Sequence, residues 1–189
     1  MGLPNRRLSV ADYLAHERAS AERHEYIDGD LFAMTGASVA HNRIVRNLLT
    51  HLHPQLTGGC EAFASDLRVH VRATDLFAYP DLIVACPPLD LDRDHGDTLR
   101  NPTVLVEVLS PSTEAYDRGR KFAHYRQIDS LQVYLLVAQD APRIERYRRH
   151  GAHWRLHDFG PGAQIDLDEV GAAIRLDAVY DGALDAAAP

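Results

Sequence analysis

The chain has 189 residues, 46% hydrophobic and 25% charged, a composition that buries a core and excludes disorder as the main state. No run approaches 18 apolar residues and the first 26 residues lack an apolar core with a small-residue cleavage site, so neither a membrane helix nor a secretory signal is expected, and the cytoplasm is the default compartment. The net charge of −7, from 20 basic against 27 acidic residues, argues against a protein that coats nucleic acid by charge alone but not against a nuclease whose acidic site is offset by divalent cations and a local basic patch.

The length predicts one domain over residues 1–189, with its core at about 9–180 and an Ala-rich tail at 184–189 expected to fray. Ser9 is a plausible N-cap for a short first helix. Residues 24–34 read as a β-hairpin turning at Asp28-Gly29. Ile44, Val45, Leu48, Leu49 and Leu52 have helical spacing within 39–56, and Pro54 and Gly58-Gly59 end that helix. Cys60 to Ala64 is a short strand. Leu67 to Val71 alternates apolar and polar residues, as a half-exposed strand does. Leu82 to Ala85 is a buried run, and 87–100 is an acidic, solvated, mobile loop. Thr103 to Leu109 is the most strand-like segment. A helix from Ser110 to about Ile128, capped by Ser112 or Thr113, follows it. Leu131 to Val137 is another strand, and 143–149 with 153–157 form a terminal hairpin. These elements predict an α/β (α+β) domain: a mixed central sheet flanked by helices, with an N-terminal helix and hairpin.

Two cysteines, Cys60 and Cys86, lack CxxC spacing and read as reduced core thiols. Arg143 to Arg149 read as an edge strand blunted by charge. Arg43, Arg46, Arg68, Arg72, Arg118 and Arg120 are candidates to line a nucleic-acid groove. The pairs His51/His53 and His150/His153/His157 have metal-like spacings without a second cluster. One cation stands out: among the 20 basic residues, 19 are arginine and one is lysine, Lys121.

Glu107 lies inside Val-Leu-Val-Glu-Val-Leu. A carboxylate in so apolar a strand costs several kcal/mol, on the order of an unpaired buried charge, unless it is paired or bound to a cation. The alternative is a half-buried strand with a polar face, which Leu105 and Leu109 on that face disfavour. Asp81 precedes Leu82-Ile-Val-Ala and alone would be a turn residue. Neighbouring strands lie about 4.8 Å apart, so two carboxylates at one level can share a hard cation with water completing its shell. Lys121 would stand about 12 Å into the following helix, within reach of the strand end if the helix packs back. Lysine suits positioning or deprotonating a water, whereas arginine cannot lose its proton. The alternative for Lys121 is an i,i+4 ion pair with Asp117.

The runs Tyr79-Pro-Asp-Leu-Ile-Val, Asn101-Pro-Thr-Val-Leu-Val-Glu-Val-Leu-Ser-Pro-Ser-Thr and Tyr116-Asp-Arg-Gly-Arg-Lys-Phe-Ala-His-Tyr-Arg resemble the Uma2 family, as do Glu25-Tyr-Ile-Asp-Gly-Asp, His41-Asn-Arg-Ile, Ser65-Asp-Leu-Arg-Val and Leu131-Gln-Val-Tyr-Leu-Leu-Val. The resemblance implies a restriction-endonuclease-like fold of the PD-(D/E)xK type. It places Asp81 and Glu107 at the motif's acidic positions and Lys121 at its lysine, displaced onto the helix because residue 109 is leucine. It further implies Mg²⁺ or Mn²⁺ held by Asp81, Glu107 and the Val108 carbonyl, with Glu25 and His41 as additional candidates. Their alternatives are a strand-end acid and a solvated helix N-terminal histidine. The function expected is a metal-dependent endonuclease on DNA, without a membrane partner and as a possible homodimer. The rivals are a catalytically silent nucleic-acid-binding relative and a structural or regulatory homodimer.

Overall fold

The structure, a computed structural model, describes residues 7–34, 36–93 and 95–184. The first six residues of the expected non-signal terminus, Asp94 of the acidic loop and the tail beyond residue 184 lie outside the described residues.

Helix α1 (Val10–Ala19) starts where Ser9 Oγ accepts the Asp12 N–H, 3.1 Å away. Strands β1 (His24–Ile27) and β2 (Asp30–Ala33) form the expected hairpin. Asp28 and Gly29 both have positive φ, 52° and 93°, as a tight hairpin turn that follows the strand twist requires. Helix α2 (Val39–Leu52) is capped by Ser38, and its Ile44, Leu48 and Leu52 are fully buried. Four short strands follow: β3 (Glu61–Ala64), β4 (Arg68–Val71), β5 (Leu76–Ala78) and β6 (Leu82–Ala85). After β7 (Thr98–Leu99) comes β8 (Val104–Leu109), buried at every residue.

The expected 110–128 helix is shorter and broken in its middle. A turn of α3 (Glu114–Tyr116) leads into a π-helical turn (Asp117–Lys121) and then α4 (Phe122–Tyr125). Strands β9 (Val133–Ala138), β10 (Ile144–His150), β11 (His153–Phe159), β12 (Gln164–Leu167) and β13 (Ala172–Arg175) follow, and α5 (Leu176–Tyr180) ends the described fold.

The central sheet has six strands in the order β11-β10-β9-β8-β6-β3. Within this sheet, among the described residues, β8 and β9 are the one parallel pair, and the broken helix is the crossover that parallel pairing needs. Val104, Val106 and Val108 face one core with α2, β12, β13 and α5. Leu105 and Leu109 face the other, with Tyr125 and Tyr134. Residue parity along a strand therefore turns Glu107 toward the broken helix. A second sheet, β2-β1-β5-β4-β7, carries the hairpin, and Tyr13 of α1 seals it against Tyr26 and Phe77.

Several expectations change. Cys60 and Cys86 are bonded to each other rather than reduced. Glu61 pairs with Ala85 in the β3–β6 ladder, so the next residues outward, 60 and 86, stand opposite. Strand β4 is not half-exposed. Arg68 is 2% exposed, bonded to Thr98 and Tyr79, paired with Asp97 and flanked by the rings of Tyr13, Phe77 and Tyr79. The acidic loop is tied down, because Asp90 meets Arg72 and Arg100, Asp92 meets Arg100, and Asp97 meets Arg18 and Arg68. Strand β10 is interior, and β11 is the edge.

Asn47 joins α2 to the chain end. It is buried, and its Nδ2 donates to the carbonyls of Val179 and Asp181, each at 2.9 Å. Asn47→Ala leaves both carbonyls without this donor. It is expected to lower stability by about 1–3 kcal/mol, read as a lower urea midpoint with unchanged m-value.

Candidate active site

Strands β6 and β8 pair Leu82 with Val106 and Ile83 with Leu105. One step further along the same register, Asp81 comes opposite Glu107. Strand β6 ends there, so the Val108 N–H has no ladder partner on that side. It donates instead to Asp81 Oδ2 at 2.7 Å. Asp81 is thus fixed by backbone rather than left as a turn residue.

Glu107 is 4% exposed, so the half-exposed alternative fails. Its Oε1 accepts from Tyr125 Oη at 2.9 Å and faces Lys121 Nζ at 2.9 Å, while Oε2 takes no part in these contacts. Burial pushes its carboxyl well above the usual range, and Lys121 opposes that shift; Asp117, Asp81 and Glu25 reinforce it.

Lys121 Nζ lies 2.8 Å from Glu25, 2.9 Å from Glu107 and 3.6 Å from Asp117. The i,i+4 pair with Asp117 exists, as the longest of the three contacts. The carboxylates outweigh burial and hold the ammonium well above its usual pKa. The π turn buries Asp117 and Lys121 while Gly119 and Arg120 between them are exposed and Arg118 is half-buried against Glu145. Such turns widen a helix at one point and often mark functional sites. Here the turn brings an acid and a base four residues apart into one buried cluster.

Glu25 comes from β1 on the second sheet, so the hairpin closes the site from outside the central sheet. It is an ion-pair partner, not a solvated strand-end acid. His41, in the first turn of α2, places Nε2 3.2 Å from Asp81 Oδ1, and its Nδ1 is buried without a hydrogen-bond partner. It too departs from the solvated alternative.

All six residues singled out in the sequence, Glu25, His41, Asp81, Glu107, Val108 and Lys121, line one cleft of about 760 Å³. Tyr116 and Tyr125 escaped notice. Tyr125 sits four residues beyond Lys121, hence on the same helical face, and that spacing was the available signal. Tyr116 lines the cleft with its hydroxyl buried and unpartnered, and burial raises its pKa, so it stays a neutral phenol. Of the six groove arginines, only Arg120 lines this cleft. Arg46 bonds Asn47, Arg72 pairs with Asp90, and Arg118 pairs with Glu114 and Glu145.

Among the described residues no group of three or more His, Cys, Asp or Glu side chains is disposed to hold a metal ion, the spaced histidines included. The acidic donors that the strand register brings opposite each other are two, Asp81 and Glu107. Mg²⁺ is commonly held by one or two carboxylates and keeps several waters. Glu107 Oε2 is not committed to Lys121 or Tyr125, whereas both oxygens of Asp81 have partners, Oδ2 the Val108 N–H and Oδ1 His41 Nε2.

Comparison with known proteins bears on the family and the fold. The family model Uma2, described as "Putative restriction endonuclease", matches residues 10–178. "Uncharacterized protein slr1290" of Synechocystis is 38% identical over 181 residues, 95% of this chain and 94% of that protein. "Uncharacterized protein sll1609" of the same organism is 35% identical over 164 residues, 85% and 92% of the two chains. A crystal structure described as "a putative nuclease belonging to DUF820" from Anabaena variabilis superposes with a TM-score of 0.75. It covers 94% of this chain and 99% of its own, at 17% identity, a likeness of fold. No helix among the described residues is long and apolar enough to cross a membrane. With the family model spanning nearly all of the fold and two relatives above 30% identity along most of their lengths, the chain belongs to the Uma2 family.

Proposed function

We propose that this protein hydrolyses phosphodiester bonds in DNA with the help of a divalent cation. The observation that carries the reading is the convergence of Asp81 and Glu107, from adjacent strands, beside a buried Lys121 in an open cleft. Asp81 and Glu107 would hold Mg²⁺ or Mn²⁺, with the Val108 carbonyl as a further ligand. The ion would supply Lewis acidity and a water acidified toward neutral pH.

The protein groups have separable tasks. Tyr125 fixes the orientation of Glu107 through Oε1 and leaves Oε2 for the cleft. The Val108 N–H and His41 fix Asp81. Lys121 stays protonated, so it is not the base. It screens the three carboxylates from one another and presents positive charge where the phosphate's negative charge grows. The full pairing of Lys121 and the buried leucine at 109 favour one alternative, a silent relative that binds nucleic acid without cutting it.

Calorimetric titration with Mn²⁺ separates the two. Wild-type protein is expected to bind the ion, and Glu107→Gln to lose affinity by about 10–100-fold or more, since even supporting groups around a metal carry that much. No heat of binding in the wild type overturns the reading and leaves the silent relative.

A further inference from the structure

Among the described residues the exposed large hydrophobic side chains are Phe32 (51%), Met34 (40%), Val39 (68%) and Leu156. Leu156 lies on the β11 edge. The other three stand within eight positions of one another, and Phe32 and Met34 line the same cleft as the carboxylates. An aromatic ring and a thioether left in water beside a cluster of buried charges are not explained by the core, which they do not join. A separate stretch of the cleft rim is chemically opposite in character. It carries the exposed residues Ser112, Thr113 and Arg120, the two hydroxyls each 3.0 Å from Ser110 Oγ.

We infer that the cleft takes an unpaired nucleotide of a single-stranded DNA segment, its base stacked on Phe32 and Met34 and its phosphate toward Ser112, Thr113 and Arg120. This rests on the phosphodiesterase reading and names the substrate form it acts on. In a duplex the base faces are covered by neighbouring pairs, so an exposed ring meets only edges and backbone. An unpaired base offers a free face, and stacking on an aromatic side chain is tolerant of sequence. The rim thus divides as a nucleotide does, with an apolar stretch for the base and a hydroxyl and cationic stretch for the phosphate. The carboxylates and exposed residues of both kinds line one continuous cleft. Arg120 supplies the charge complementarity that an apolar peptide would not use.

The test is fluorescence anisotropy with a labelled single-stranded oligodeoxynucleotide and its duplex, Ca²⁺ replacing Mg²⁺ or Mn²⁺. The single strand is expected to bind more tightly. Phe32→Ala should weaken it by about 5–140-fold, the range for loss of one stacked base. Phe32→Trp should restore affinity, with the indole emission added over that of Trp154 quenched by the single strand, and an unchanged Tm in Phe32→Ala shows that its loss is not misfolding. Equal affinity for duplex, or no effect of Phe32→Ala, overturns the inference. So does Phe32-dependent self-association in sedimentation, which would make the rim a contact between copies. Mn²⁺-dependent cleavage of duplex that Asp81→Asn abolishes and Phe32→Ala leaves intact overturns the inference but keeps the phosphodiesterase reading. Phe32-dependent binding of single strands without any cleavage supports the inference and overturns that reading instead.

Discussion

Glu107→Gln is expected to cut the rate of Mn²⁺-dependent DNA cleavage by about 10³-fold or more while leaving the protein as stable as the wild type or more so. The two halves of this result have one cause. A buried carboxylate whose pKa is forced up by desolvation is held in the fold against its preference. Glutamine keeps the shape and can still accept the Tyr125 hydrogen bond, and Lys121 retains Glu25 and Asp117. Removing the charge therefore relieves an unfavourable burial, and the lost Lys121–Glu107 ion pair is offset by the two carboxylates that stay beside Lys121. The same change removes an anionic oxygen from the proposed cation site, where several kcal/mol of charge stabilisation correspond to about 10³ in rate. Measuring cleavage and Tm on one preparation reads both. A variant that loses stability and activity together would make Glu107 a structural ion-pair partner of Lys121 and remove it from the chemistry. Asp81→Asn should show the same loss of cleavage. Full activity in both variants would remove the proposed site altogether.

Much of this site was legible in the sequence because two of its signals are local. An acid inside an unbroken apolar strand is conspicuous, since each flanking residue states that the strand is buried; Glu107 met that condition and proved buried. A lone lysine among nineteen arginines was conspicuous for its chemistry. The hairpin turn at Asp28-Gly29 and the Ser9 cap were likewise written within a few residues. What escaped depends on contacts between distant segments. Arg68 alternates with apolar neighbours and so reads as solvent-facing. Its burial follows from rings on α1, on β5 and at Tyr79, and from Thr98 and Asp97, segments that only the fold brings together. The Cys60–Cys86 bond follows from strand register, which the spacing of two cysteines does not encode. The π turn leaves no mark in helical periodicity: Asp117 and Lys121 have ordinary i,i+4 spacing, and the extra width shows only in the backbone.

Lys121→Met is expected to destabilise the fold by about 3–5 kcal/mol at neutral pH, the usual result of removing one partner from a buried ionic cluster. Glu25, Glu107 and Asp117 then share a pocket without their common cation. The sign of the pH dependence identifies this mechanism. In the wild type the Lys121 pKa is raised in the fold, so its contribution is fully present below the unfolded lysine value of about 10.4 and declines only as pH rises beyond it. In Lys121→Met the Glu107 and Asp117 carboxyls lose the ammonium that opposed their upward shift. The folded state then binds more protons than the unfolded state at pH values above the ordinary carboxyl range. Stability of the variant must therefore rise as pH falls from 8 toward 5, narrowing its gap to the wild type, whereas loss of packing alone would shift Tm equally across that range. Differential scanning calorimetry across this interval distinguishes the two, and parallel profiles would refute the ionic account. Lys121→Arg separates charge from shape. It keeps a cation among the carboxylates, so most of the stability should remain. The guanidinium is larger than the ammonium and spreads its charge over a planar fork. It should displace Glu107 from its place beside Tyr125, and cleavage should fall sharply while the pH profile of Tm stays that of the wild type. Full cleavage by Lys121→Arg would mean that the one lysine serves only as a counter-ion, and that the charge it holds, rather than its position, is what the site requires.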